Sequence, residues 1–186
     1  MGGKTLSYAV AVAVMSGLPG AVSAQMPSWK DVQIADIENL KSKFLDLAGA
    51  FDESQYDWRP MEGVRSVREV LGLMIASGNL FPTEWGYEAG PQSAEGFEPE
   101  MERAGSLGKS DMVAGLRASF DYFLEVVTGM DDEARMSESS FFGGPMPAHA
   151  SIAAGMAHMH EHLGQLVAYA RMNGIVPPWS RSEGTN

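Results

Sequence analysis

Cysteine is missing from the 186 residues. With it go disulfide bridges, thiolate nucleophiles, cysteine-ligated zinc, iron–sulfur centres and any lipid-modified cysteine. Positive charge is scarce: 13 lysines and arginines stand against 24 aspartates and glutamates, for a net charge of −11. Such a balance argues against nucleic acid or an anionic membrane surface as partners. No Gly-x-Ser-x-Gly elbow and no glycine-rich phosphate loop occur; Gly143-Gly144-Pro145 reads as a turn. The longest N-terminal apolar run falls far short of the ~20 residues that span a bilayer.

That run, Tyr8 to Met15, follows a single positive charge at Lys4 and precedes the small residues Val22-Ser23-Ala24. The layout predicts a secretory signal over residues 1–24, cleaved after Ala24, with an uncleaved anchor as the alternative. The mature protein is then periplasmic or secreted, has no stable membrane span, and carries one more net negative charge because Lys4 is lost. Residues 25–186 suffice for a single domain with its own core.

Helical periodicity recurs four times. Val32, Ile34, Ile37, Leu40, Phe44 and Leu47 predict a first helix over about Ser28–Phe51. Ser66 and Glu69 form a capping-box signature for a second helix, carried to about Tyr87 although Gly72, Gly78 and Pro82 threaten to kink or shorten it. A third runs from about Ser110 to Met130, and a fourth from Ile152 to Met172, stopped by Asn173, Gly174, Pro177 and Pro178. The stretch Glu88–Lys109 reads as a crossover or lid, and no strand pattern of comparable strength is present. These elements predict an all-α four-helix bundle with a long helix 2 to helix 3 connection, which lets those two helices run parallel. Bundles of this shape can dimerise through an exposed helix face, but no heptad seam here specifies it.

The fourth helix carries His158-Met159-His160-Glu161-His162. At about 100° per residue, His158 and His162 differ by about 40° and share a stripe with Gln165 and Tyr169, while His160 points roughly 160° away from His162. Two imidazoles one turn apart can hold a transition metal, but zinc, nickel or iron needs further ligands from another element. The competing reading is a hydrogen-bonded histidine pair at the edge of a core. Glu161 points away from both imidazoles, which removes a simple base-and-orienter pair, so no catalytic residue is assigned.

Three phrases together carry a resemblance: Tyr56-Asp57-Trp58-Arg59-Pro60, Val64-Arg65-Ser66-Val67-Arg68-Glu69-Val70, and His158 through Gln165 to Val176-Pro177-Pro178-Trp179-Ser180. The chain resembles the DinB family over nearly all of its mature length. The resemblance implies a bundle with a divalent metal between helices two and four, held by a helix-two histidine and a His-x-x-x-His pair. Here the pair is His158 and His162, but the helix-two position is Leu73.

Leucine cannot ligate a metal, and the other residues near it in helical projection do not replace it well. Glu69 is committed to the cap and Glu84 lies nearly three turns on. Two readings follow. In one, the site is degenerate and the protein is non-catalytic or binds a small molecule in a pocket formed by Leu73, Ser77, Gln165 and Tyr169 with the two histidines. In the other, His158, His162 and an unidentified oxygen ligand hold nickel, zinc or iron for a transferase or hydrolase, as the resemblance implies for relatives that use small thiols.

Overall fold

The computed structural model describes residues 26–141 and 144–181; the expected signal segment lies outside them. Four long helices form the bundle: α1 (Trp29–Ala50), α2 (Val67–Leu80), α4 (Lys109–Gly129) and α6 (Ala148–Met172). Each of the first two starts at a reciprocal cap. The Ser28 hydroxyl accepts from the Asp31 amide while the Asp31 carboxylate accepts from the Ser28 amide, and Ser66 and Glu69 repeat the arrangement. Glu69 therefore has the capping role its spacing indicates, and its carboxyl is held below the usual range chiefly by the Ser66 amide.

α1 buries one stripe, comprising Ile37, Leu40, Phe44, Leu47 and Ala48, and α4 buries Met112, Leu116, Phe120, Phe123 and Val127. α2 differs in being buried all round, from Val70 to Asn79 without interruption. Its sequence allows this, since no charge follows Glu69. The Trp58 ring packs edge-on against Tyr169, with centroids 5.3 Å apart. Tyr56 is fully buried and its hydroxyl donates to the Ala48 carbonyl at 2.9 Å. Both aromatics close the bundle end.

α1 and α2 sit on opposite corners, each packed between α4 and α6. Pairings fix the directions. Trp29 meets His149 and Asp36 meets His160, so α1 and α6 run parallel. The Lys30 ammonium reaches the Thr128 carbonyl and Lys41 pairs with Asp121, so α1 and α4 are antiparallel. A Cβ on Gly78 would lie 2.9 Å from the Ser119 carbonyl oxygen, and one on Gly115 would lie 3.0 Å from Ile75. α2 and α4 are thus parallel and in close approach, as a long connection between them permits.

The second helix ends earlier than its apolar pattern suggests. Pro82 has no N–H to give to the Gly78 carbonyl, so α2 stops at Leu80 and a 3-10 turn covers Phe81–Trp85. Gly86, at φ 81°, closes that turn in the left-handed region. The crossover is not structureless: α3 (Phe97–Gly105) lies within it and packs on α2. The connection before α6 also contains more structure than expected. It holds α5 (Asp132–Met136) and the antiparallel strands β1 (Glu138–Phe141) and β2 (Gly144–Pro147). Each strand has four residues and β2 contains two prolines, which hides the alternation that marks a longer strand.

Glu100 fastens α3 in place. It is fully buried, and its carboxylate accepts from the Asn79 side-chain amide (2.8 Å), the Ala94 amide (2.8 Å) and the Arg103 guanidinium (2.7 Å). Burial acts to raise its pKa, but these hydrogen bonds outweigh it and hold the carboxyl below the ordinary glutamate value.

Candidate functional site

The antiparallel course of α2 and α6 sets the histidines against the second helix. Tyr169 meets Arg65 at one end, Phe81 meets His158 further along, and the Trp85 indole donates to the Ser151 hydroxyl at 2.9 Å beyond that. His158 and His162 come together, with ring centroids 4.6 Å apart and planes at 82°. His160 is instead engaged by Asp36, and His149 lies by the Arg135 carbonyl and Trp29. Helical arithmetic had separated the histidines in the same way.

A hydrogen-bond chain fixes His162. The Tyr169 hydroxyl donates to the Arg65 carbonyl (2.9 Å), so it must accept from the Gln165 amide nitrogen (2.7 Å). That leaves the Gln165 oxygen facing His162 Nδ1 at 2.8 Å. Nδ1 is therefore the donor in this chain, an arrangement whose neutral tautomer has its lone pair on Nε2. For His158, burial holds the pKa below the usual histidine value, and the charges of His162 and Arg65 act in the same direction against Glu161.

A cleft of about 610 Å³ runs along α2 beneath α3, β1 and α6. Leu73, Ala76, Leu80, Phe81 and Phe97 make most of its wall, and Ser77, His158, Glu84 and Arg65 add polar groups. Of the residues singled out from the sequence, Leu73, Ser77 and His158 line this cleft. Gln165 lines a neighbouring cavity that shares Arg65, and Tyr169 is buried. Glu84 sits at the rim, where its carboxylate accepts from the Ser140 hydroxyl at 2.9 Å.

Two cleft residues stand out electrostatically. The Ser77 hydroxyl is buried and has no hydrogen-bond partner among the described residues, although it lies on the cleft wall. Arg65 is exposed and forms no ion pair among the described residues, whereas the nearby Arg59 and Arg68 are held by Glu69 and Asp57. Sequence reasoning missed Arg65, Phe81 and Phe97 as site residues. Arg65 precedes a helix cap and its aim depends on tertiary packing. Phe97 belongs to a helix concealed in the crossover.

Chemically, the histidine pair offers two metal donors. No group of three or more histidine, aspartate or glutamate side chains is placed to hold a metal ion among the described residues. Leu73, 3% exposed, occupies the wall where α2 faces the pair.

The sequence profile of the DinB superfamily matches residues 37–166, and no curated protein matches the chain. Several solved structures share the fold. A DinB-like protein from Bacillus cereus ATCC 10987 is 15% identical, covers 78% of this chain and 93% of its own, and superposes with a TM-score of 0.65. YfiT from Bacillus subtilis, described as a probable metal-dependent hydrolase with an unusual four-helix bundle topology, is 15% identical at 82% and 93% coverage and a TM-score of 0.63. A mycothiol-dependent maleylpyruvate isomerase is 16% identical, with 76% of this chain and 63% of that one aligned and a TM-score of 0.57.

Proposed function

The chain belongs to the DinB superfamily, and from that premise we propose that it is an exported bundle that binds a small molecule in the α2–α6 cleft, at a degenerate metal site. The observation that carries this reading is Leu73. On the helix where the family resemblance implies a histidine, an apolar side chain lines the cleft beside Ser77 and His158. Burying it contributes about 2 kcal/mol of apolar transfer, in place of a metal–ligand bond. Two imidazoles do not satisfy an ion that normally takes at least three protein ligands. Arg65 adds positive charge to the same wall, which further disfavours a resident cation. The donor set therefore does not fit the family's metal, and no reaction step is routed through one.

The second reading, a divalent-metal-dependent hydrolase or transferase using His158, His162 and a further oxygen ligand, is favoured by one observation. His162 donates from Nδ1 to Gln165 and so aims the Nε2 lone pair outward, as a metal-bound histidine does. The description of YfiT supports the same reading by analogy of fold alone.

Metal analysis of the protein purified without tag or chelator separates the two readings. The wild type should carry far less than one nickel, zinc or iron per chain, and Leu73→His should raise occupancy towards one by completing the set. Near-stoichiometric metal in the wild type, lost in the His158→Ala/His162→Ala double variant, would overturn the degenerate-site reading. If export is correct, N-terminal sequencing of the same preparation should begin at Gln25.

A further inference from the structure

The cleft is uneven in charge along its length. α2 supplies an apolar floor from Leu73 to Leu80, about 10 Å at 1.5 Å per residue, which the Ser77 hydroxyl interrupts. Arg65 flanks one end, just before α2 starts. Glu84 flanks the other, just beyond its finish. The Arg65 backbone is anchored by the Tyr169 hydroxyl, so its side chain leaves from a fixed point, and it lines the same cleft as His158. A guanidinium that forms no ion pair among the described residues is a ready fork for an anionic group. Leu73, Leu80, Phe81 and Phe97 offer an apolar body nothing polar to bind.

We propose that the cleft binds a monoanionic amphiphile, namely a carboxylate carried on an apolar chain or ring, with the carboxylate on Arg65 and the body along Leu73–Leu80. The proposal rests on the small-molecule reading of the cleft and specifies its ligand class. Glu84 sets a selectivity: a second carboxylate at the far end of the ligand meets a like charge, so dicarboxylates are disfavoured.

Calorimetric titration of the full chain with octanoate, 1-octanol and suberate tests this. Octanoate should bind more tightly than octanol. Arg65→Gln should weaken octanoate about tenfold, as expected for loss of a charge-assisted hydrogen bond, while leaving octanol unchanged and so showing that the cleft is intact. Suberate should bind more weakly than octanoate, and Glu84→Gln should narrow that gap. Equal binding of octanoate and octanol, unaffected by Arg65→Gln, would overturn the anion proposal and leave the small-molecule reading standing. If neither ligand binds, both fail.

Discussion

The hydroxyl of Ser77 is buried without a partner among the described residues, an arrangement that costs about 1–3 kcal/mol wherever it is not relieved. Ser77→Ala should therefore stabilise the ligand-free protein by about 1 kcal/mol in urea denaturation, and a loss of stability would mean that the hydroxyl is satisfied after all. Side-chain identity at this scale was partly open to sequence reasoning. The convergence of His158 and His162 follows from their spacing, and the diversion of His160 follows from the same arithmetic. Arg65 was not legible, because a residue ahead of a cap has no helical phase from which to infer its direction. The division of the polar residues between two cavities was equally hidden, since Gln165 and Tyr169 share a stripe with the histidines but are drawn towards the Arg65 carbonyl.

Among the elements, the four long helices were readable from apolar periodicity, which the Ser66–Glu69 capping box reinforces for α2. α3 was not, although signals existed: Pro99 in the first turn, Glu98 and Glu100 near the N-terminus and Arg103 in the last turn. The surrounding glycines and prolines masked them, and the helix is too short to show more than two turns of periodicity. Its attachment depends on Glu100, and this yields a pH dependence. The folded-state pKa of Glu100 lies below its unfolded value, so the carboxylate contributes stability that is fully present above the ordinary glutamate range, near 4.3, and is lost as pH falls through the lower folded value. Glu100→Gln should cost about 2–3 kcal/mol at neutral pH, as expected when one partner of a buried pair is removed. Its acid unfolding curve should also be flatter below about pH 4. An unchanged curve would assign the acid sensitivity to other carboxylates.

At the scale of the whole molecule, parallel α2 and α4 force the chain to return along the bundle before the third long helix begins. The 88–109 stretch provides that return, and its length made the parallel arrangement legible. The placement of α1 diagonally from α2 was not, because each helix shows an apolar stripe without saying which neighbour fills it. Gly78 marks where the parallel pair comes closest. In an open helix, Gly→Ala is favourable by about 1 kcal/mol. Here the added methyl meets backbone at 2.9 Å, and overpacking of about 1–3 kcal/mol outweighs that gain. Gly78→Ala should therefore lower the thermal midpoint, and an increase would mean that the two helices separate easily.

α3 packs on α2 and contributes Phe97 to the cleft wall, and its Ala104 is buried in the same apolar core as Phe44 and Phe120. The outer wall of the binding space is thus tied to the fold both by the Glu100 carboxylate and by the buried Ala104. The residence time of a bound molecule then depends on the same contacts that hold α3 to the bundle, so a change at Glu100 or Asn79 should alter off-rate and global stability together.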